Sequence, residues 1–495
     1  MNGKFTLFGR TLKIAVTALA LFLCLFADSH VPDETNGVIG SIMHELAAAF
    51  RDSGTQWMVF LCVAVNLLTF LLLQCRISGL SFWRAANPSL WLTGTLFLGT
   101  LVYAFNYSDA AQSSQALILL VGVALGSGAA VWACFEVRNQ RPEARSSFLA
   151  WVISILVILL TVASLWRSNL GGSFEYRGHA RWMGPWNNPN EFGLLMGVGA
   201  ILVFGLLIQS LISKVRGQKQ EGRSWKSGVK RYAVIIVCLF AAIPMGRALL
   251  HSYSRGAWLA AICGLAYLAN EVFSFQFSQA SPRRAVFSRR VLKNVLLLEI
   301  IGLSIFVLAF WQFRHTEWHP ARRAFSAGNM NDFSWRNRIA SWEGALQIAA
   351  EHPWLGAGWN QPASLYQNYY LPPKVGESDA IWLNDYLVLG AMLGVPALIC
   401  FGMYLWLSLT RKPDDRGQIS DGGIPPIDLK PPPSDLWQAI CRAGAIVLLV
   451  GFWFDGGLFN LPTASIFWIL LELGALRFTP PKAATIAVNT TPVTS

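Results

Sequence analysis

Charged residues are scarce in this sequence. Of its 495 residues only 13% are Asp, Glu, Lys or Arg, whereas 54% are hydrophobic and the mean hydropathy is +0.43. An average soluble domain carries about 25% charged residues. The composition therefore excludes an ordinary soluble enzyme and indicates a protein with several membrane-spanning segments.

Twelve apolar segments are long enough to cross a membrane, which requires about 20 residues in one helix. These segments are 11–27, 56–75, 90–105, 115–135, 148–166, 191–212, 232–250, 256–275, 292–312, 381–409, 437–454 and 462–477. The sequence thus predicts an all-α polytopic membrane protein with about 12 transmembrane helices. The first segment is either a retained anchor or a cleaved signal peptide, because Lys4, Arg10 and Lys13 precede it.

The spans divide the chain into four parts. The first nine spans fall within 1–312, a large external loop follows at 313–380, and the last three spans fall within 381–477. A cytoplasmic linker at 410–436 and a cytoplasmic tail at 478–495 complete this organisation.

Cysteine pairs are missing as well. The eight cysteines lie in or beside apolar segments and form no CxxC pair, which argues against disulfides and against a cysteine metal site. The phosphate-binding pattern GxxxxGK[ST] is also absent, so an ATP-driven pump is not supported. No cofactor is expected.

Lysine is almost missing from one set of loops. Basic residues resist translocation, so the loops rich in both Lys and Arg, at 136–147, 213–231, 276–291 and 410–436, are assigned to the cytoplasm. This topology, together with anionic headgroups of membrane lipids, explains most of the net charge of +12, and no nucleic acid partner is implied. The external regions 167–190, 247–255 and 313–380 carry many arginines but only one lysine, Lys374.

Arginine without lysine suggests a requirement for geometry as well as charge. Guanidinium presents a planar fork of donors that matches a phosphate in a bidentate way. An external arginine cluster at membrane level is therefore a candidate site for a phosphate-bearing lipid. Arg255, in the stretch HSYSRGAWLA, has the alternative of a helix-end arginine that reaches into headgroups.

Two further segments accompany Arg255. In RGHARWMGPWNNPNEFG, from Arg177 to Gly193, Asn190 is expected to cap a helix that starts at Glu191, and Asn188 to form a turn with Pro189. Tryptophans in this stretch are also typical of an interfacial aromatic belt.

The second segment, 334–360, predicts an amphipathic helix on the outer surface. Apolar residues recur at helical spacing at Trp335, Ile339, Trp342, Leu346 and Ala349, and a polar flank holds Arg336, Glu343 and Gln347. His352 and Pro353 would end this helix, and His352 is also a candidate catalytic residue.

Together these motifs resemble the O-antigen ligase and polymerase superfamily. The resemblance rests on the order of GPWNNPNEFG, SRGAW, RNRIASWEGAL with HPWLGAG, and LNDYLVLGAMLG, and it covers roughly 170–410. It implies an inverting, metal-independent glycosyltransferase of the bacterial inner membrane, active on the periplasmic face in surface polysaccharide biosynthesis. The implied donor is a polyprenyl-diphosphate-linked glycan and the implied acceptor a lipid or another glycan.

The resemblance also implies roles for particular residues. Arg255 would hold the diphosphate leaving group, whose charge grows in the transition state. Four further arginines are candidates for the same diphosphate: Arg177, Arg181, Arg336 and Arg338. Three asparagines are candidates for lining the substrate: Asn188, Asn190 and Asn384.

One position departs from the family pattern. Members usually place a histidine before the asparagine that matches Asn384, but here Leu383 occupies that position and cannot accept a proton. Asp385 or Asp379 could act as the base instead, although Asp385 also suits a helix start. A histidine of the external loop, namely His352, His315 or His319, is the other possibility.

Other functions stay open at this point. A transporter of lipid-linked glycans would place ionisable residues and broken helices at mid-membrane, whereas the arginines here collect at the outer ends of spans. A non-catalytic partner in a glycan assembly complex is the other alternative, because of Leu383. A metal-dependent transferase would need acidic ligands in the first outer loop, and the spacing of Asp28, Asp33 and Glu34 is unpersuasive.

Overall fold

The computed structural model describes most of the bundle. The described residues are 17–26, 114–138, 142–165, 175–176, 179–186, 188–217, 225–278, 333–359, 361–373, 378–410 and 434–475. The spans expected at 56–75, 90–105 and 292–312 lie outside these residues, as do the first part of the external loop and the C-terminal tail.

The described part is almost entirely helical, which confirms the all-α expectation there. Its α-helices are α1 (Thr17–Phe26), α2 (Ser114–Arg138), α3 (Pro142–Leu165), α4 (Pro189–Gly217), α5 (Trp225–His251), α6 (Arg255–Ser278), α7 (Phe333–Glu351), α8 (Gln361–Leu365), α9 (Asp385–Leu393), α10 (Val395–Thr410), α11 (Ser434–Phe454) and α12 (Leu461–Ala475). A π turn at Tyr366–Tyr370 and a 3-10 turn at Ser378–Leu383 accompany them. Two short strands, β1 (Glu175–Tyr176) and β2 (His179–Ala180), pair antiparallel before α4.

Among the described residues, three helices are long and apolar enough to cross a membrane. These spans are Pro189–Ser210, Arg255–Ser274 and Leu436–Phe454, close to the segments expected at 191–212, 256–275 and 437–454. Shorter apolar helices cover parts of other expected spans, including Leu149–Leu165 and Ile236–His251.

Helix α11 lies at the centre of the bundle. It packs against α4, α6 and α12, and α12 in turn packs along α2. Small residues allow this approach, since a Cβ at Gly264 of α6 would lie 2.5 Å from the Val447 side chain of α11. Close packing of this kind holds helices together in lipid, where the hydrophobic effect does not drive their association.

The expected span 381–409 is not one helix, so this prediction was wrong. The chain breaks at Gly394, between α9 and α10. The carbonyl oxygens of Ala391 and Met392 accept hydrogen bonds from Ala357 and Gly358, at 2.8 and 3.0 Å, instead of from the next helical turn. Gly394 adopts a positive φ of 84°, which favours glycine, and a Cβ there would lie 2.5 Å from the carbonyl oxygen of Trp354.

Helix α7 has two distinct faces. Small and polar residues pack against the protein, chiefly against α9 and the 3-10 turn: Asn337, Ala340, Ser341, Gly344, Ala345 and Ile348. Ile339 and Leu346 of the expected apolar stripe lie on the opposite side and are exposed. The protein therefore holds α7 by close approach of small side chains and leaves Ile339 and Leu346 facing outward, whereas Trp342 of the expected stripe packs against Trp453 of α11.

Candidate functional site

A buried carboxylate, Asp455, joins three segments that are distant in sequence. It lies directly after α11, and its side chain is 1% exposed. One oxygen, Oδ1, accepts a hydrogen bond from Arg338 Nη2 of α7 at 2.7 Å. The other, Oδ2, accepts one from the Ser254 hydroxyl at 2.6 Å.

The Ser-Arg-Gly sequence at the start of α6 is shaped around that carboxylate. Ser254 caps α6, because its Oγ accepts the Ala257 N–H at 3.1 Å while its hydroxyl donates to Asp455. A Cβ at Gly256 would lie 2.3 Å from Asp455 Oδ2, so only glycine fits there without a shift. Arg255 stands between these two residues, half-buried, as the first residue of α6.

The turn between α5 and α6 holds a strained residue. Tyr253 adopts a φ of 51°, in the left-handed region that non-glycine residues rarely enter. The Ser252 carbonyl accepts a hydrogen bond from Arg181 Nε at 2.8 Å. Because this strain lies two residues before Arg255, the surrounding contacts fix the backbone that presents it.

Arg181 links this turn to the start of α4. Besides Ser252, its guanidinium donates from Nη2 to the Asn190 side-chain oxygen at 2.6 Å. Asn188 caps α4, since its oxygen accepts the N–H groups of Asn190 and Glu191 at 2.9 and 3.4 Å. The cap expected at Asn190 was therefore assigned to the wrong asparagine, because the helix begins two residues earlier than the sequence indicated.

A small aromatic stack lies beside Arg181. The rings of Trp182 and His251 stack with centroids 4.5 Å apart. The backbone N–H of Trp182 also donates to the His251 carbonyl at 3.0 Å. The Arg247 guanidinium lies 5.5 Å from the centre of the Trp182 ring, within cation–π range. This stack fixes the segment before α4 against the end of α5.

Asn384 and Asp385 begin α9 and hold it to the same turn as Asp455. Asn384 caps the helix by accepting the N–H groups of Tyr386 and Leu387 at 3.2 and 3.1 Å. Asp385 Oδ2 accepts the Leu458 N–H at 2.7 Å. Both side chains are buried, and the Nδ2 of Asn384 has no hydrogen-bond partner among the described residues.

The other predicted residues lie apart from this cluster. Arg336 is exposed on the polar flank of α7, and Leu383 ends the 3-10 turn. His352 is exposed just after α7, in the loop whose backbone N–H groups donate hydrogen bonds to the last carbonyl groups of α9. Arg177 lies outside the described residues, and so does the side chain of Asp379.

Two tyrosines follow the loop after α7 and have raised pKa values. Burial raises the pKa of Tyr366, whose ring packs against Gly344 of α7. A side-chain hydrogen bond with Glu351 raises the pKa of Tyr370. Both tyrosines therefore stay neutral near pH 7. Tyr366 serves as a packing group, and Tyr370 as a hydrogen-bonding group.

Metal-ligating side chains do not gather in the described residues. No group of three or more His, Cys, Asp or Glu that could hold a metal ion occurs among them.

The structure thus brings three of the predicted arginines to one place. Arg181 contacts the Ser252 carbonyl, Arg255 directly follows Ser254, and Arg338 binds the Asp455 carboxylate that Ser254 also contacts. Sequence reasoning missed Asp455 and Ser254. A lone Asp followed by two glycines at the end of an apolar run was the available signal.

The comparison with known families bears on this same region. Residues 240–402 match the family model described as O-antigen ligase. The resemblance to O-antigen ligases and polymerases is confirmed. The matched region includes Arg255, Arg338 and Asp385, whereas Arg181 and Asp455 lie outside it. No curated protein matches the chain.

The match supports glycan transfer of the O-antigen ligase and polymerase type in general, with lipid-linked glycans as substrates. It also supports a membrane protein, in agreement with the three apolar helices that are long enough to span.

Proposed function

We propose that this protein transfers a glycan from a polyprenyl diphosphate to a hydroxyl group of a lipid or glycan acceptor, at the periplasmic face of the bacterial inner membrane. The observation that carries the proposal is the Ser254–Arg255–Gly256 segment fitted around Asp455 and, through it, fixed to Arg338. An arginine presented by so constrained a backbone suits a leaving group whose position must be controlled.

In the proposed reaction the acceptor oxygen attacks the anomeric carbon of the donor sugar. The bond from that carbon to the diphosphate oxygen breaks, and its electron pair leaves with the diphosphate. The acceptor proton passes to a base. Attack from the face opposite the leaving group inverts the anomeric configuration, and guanidinium groups, without a metal, stabilise the growing charge.

Arg255 is the proposed principal ligand of the diphosphate. It is the first residue of α6, where the N–H groups and the helix dipole also favour an anion. Arg336 is exposed on α7, two residues from Arg338, and can reach the donor without breaking a described contact. Arg177 remains a candidate from sequence alone.

Arg181 and Arg338 have a different proposed role. Arg338 forms an ion pair with Asp455 and also donates from Nε to the Phe454 carbonyl at 2.8 Å. Arg181 binds the backbone of the turn before α6 and the Asn190 side chain. Both are therefore proposed as positioning residues that set the location of Arg255, and Asn188 and Asn190 support Arg181.

Asp385 is the favoured base. A Cβ at Gly456, the residue after Asp455, would lie 3.6 Å from Asp385 Oδ1, so Asp385 adjoins the cluster. A carboxylate has about four acceptor positions, so the Leu458 hydrogen bond leaves capacity for a proton. The amide Nδ2 of Asn384 beside it is buried and has no hydrogen-bond partner among the described residues, so a substrate oxygen that enters here would find a free donor. His352 has no described contact with the cluster and is the second candidate.

The proposal is tested with purified protein in lipid vesicles, supplied with a polyprenyl-diphosphate glycan of known anomeric configuration and with candidate acceptors. We expect a product of inverted configuration, identified by NMR, and undiminished activity in EDTA. A ladder of products would indicate a polymerase, and a single addition to a lipid acceptor a ligase. Retention of configuration or loss of activity in EDTA would overturn the proposed mechanism.

A further inference from the structure

The loop after α7 carries two large apolar side chains that nothing in the described residues covers. Trp354 is 77% exposed and Leu355 is 64% exposed, in the sequence His-Pro-Trp-Leu-Gly. Exposing two adjacent large apolar side chains to water alone is unfavourable, so such a pair marks a contact with another apolar surface. These two residues are called the loop tip below.

The loop tip is held rigidly against the break between α9 and α10. The Pro353 carbonyl accepts the Val395 N–H at 2.8 Å, and on the other side Ala357 donates to Ala391 at 2.8 Å. Gly356 has a φ of 71°, and a Cβ there would lie 2.2 Å from the Met392 carbonyl group. The exposure of the tip is therefore set by its backbone contacts.

Directly beside the tip, α10 exposes an apolar stripe. The stripe begins at the residue that is hydrogen-bonded to Pro353, and its side chains recur at helical spacing: Val395, Ile399, Met403 and Trp406, with exposures of 42%, 56%, 59% and 69%. In an apolar helix of a membrane protein, such a stripe faces lipid. The loop tip extends this lipid-facing surface beyond the start of the helix.

The length of α10 indicates where the loop tip lies relative to the membrane. Its 16 residues span about 24 Å at 1.5 Å per residue, against a hydrocarbon core of about 30 Å. Its first residue, Val395, therefore lies near one edge of the core. Trp354 and Leu355 then fall at the level of the headgroups, where tryptophan is enriched in membrane proteins.

We propose that the loop tip, Trp354 and Leu355, docks into the lipid interface at this end of the bundle. Its partner is the surface of the bilayer. The docked tip holds α7, which precedes it directly, and hence Arg336 and Arg338, at a fixed height above the membrane. This inference concerns the seating of the loop and does not depend on the proposed glycan transfer.

Site-specific photocrosslinking in native membranes tests the proposal. The full chain carries a benzophenone amino acid at position 354 in one variant, at 355 in a second, and at the exposed polar-flank position 347 of α7 as the matched control. After irradiation, mass spectrometry identifies the adducts. Each variant must elute as the wild type does on size exclusion, and either tip position is sufficient if the other disturbs the fold.

The expected result is phospholipid adducts at 354 or 355 several-fold above those at 347. Adducts to a second copy of the chain or to another protein would show a protein interface and overturn the proposal. Yields no higher than at 347 would show a solvent-exposed loop and would overturn it equally.

Discussion

Two groups of buried polar side chains lie toward opposite ends of α11. At one end, Asp455 joins Ser254 of the α6 start to Arg338 of α7. Toward the other end, Arg442 of α11 donates from Nε to the Gly474 carbonyl at 2.9 Å, and Tyr404 of α10 donates to Glu472 of α12. Both groups place charged side chains inside the protein, but they connect different segments of the chain.

The Arg442 group connects helices that already pack along one another, so its polar atoms are satisfied within the bundle. The Asp455 group instead fixes the start of α6, which carries Arg255, to α7, which carries Arg338. Buried charge in a membrane protein marks a candidate site by default, so burial alone does not separate the two groups. The distinguishing feature is whether the contacts fix helix ends that can reach a ligand.

The sharpest test of this distinction is Arg255→Ala. Loss of a group that stabilises a charged leaving group lowers the rate on the order of 10²–10³-fold, and the folded protein should be retained. Glycan transfer and thermal unfolding in detergent measure the two effects. Arg255→Lys is the matched control and should keep part of the activity, since charge remains but the planar fork is lost. Full activity of Arg255→Ala would remove Arg255 from the reaction.

Asp385→Asn tests the base. Asparagine still offers an oxygen to the Leu458 N–H but does not accept a proton near pH 7. If Asp385 is the base, transfer should fall by about 10²-fold or more while the unfolding temperature changes little. Unchanged transfer would limit Asp385 to holding the turn. Positioning of the substrates and stabilisation of the leaving-group charge would then have to account for catalysis.

Gly256→Ala tests the fit around Asp455 without removing a charge. The added methyl would lie 2.3 Å from Asp455 Oδ2, so the start of α6 or Asp455 must shift, and displacing Arg255 by about 1 Å can lower a rate by up to about 10²-fold. Gly246→Ala in α5 is the control, because nothing lies within 4 Å of its Cβ position. Equal effects of the two variants on transfer would contradict a constrained Arg255.

The Asp455–Arg338 pair is tested by a double-mutant cycle with Asp455→Asn and Arg338→Gln. Residues in direct contact show coupling of about 0.5–3 kcal/mol, so the double variant should lose less than the sum of the single losses. The coupling should appear in kcat for transfer as well as in stability, because both residues position Arg255. Coupling confined to stability would assign the pair a purely structural role.

Tyr404→Phe should have the smallest effect. It removes one hydrogen bond inside the bundle, and such bonds between membrane helices contribute about 0.6 kcal/mol on average. Thermal unfolding should shift slightly, and transfer per folded molecule should be unchanged. A loss of transfer at constant stability would give the Arg442 end of α11 a functional role and would favour the transporter alternative.

Local patterns in the sequence predicted much of the fold. The spans at α4, α6 and α11 follow from apolar length alone, and helix α7 follows from its helical spacing. The break at Gly394 did not follow, because the apolar run is continuous and the hydrogen bonds that satisfy Ala391 and Met392 come from a separate loop. Hydropathy shows which residues need apolar surroundings, but it does not show which groups form the backbone hydrogen bonds.

Part of the candidate site was likewise predictable from the sequence. Arg255, Arg181 and Arg338 were found because arginine in external loops breaks the charge rule. Asp455 was missed because its two partners are 117 and 201 residues away along the chain, and no local pattern reports such contacts. The cap at Asn188 was missed because Asn188 and Asn190, separated only by Pro189, offer nearly the same signal.

The most direct measurement is the stoichiometry of the reaction in the wild-type protein. Purified protein in lipid, given polyprenyl-diphosphate glycan and acceptor, should release one free carrier diphosphate for each glycan gained by the acceptor. Gain of glycan with matched release is the predicted result. With folded protein and validated substrates, movement of intact donor across the bilayer without release, or no change in either pool, would contradict glycan transfer by this protein.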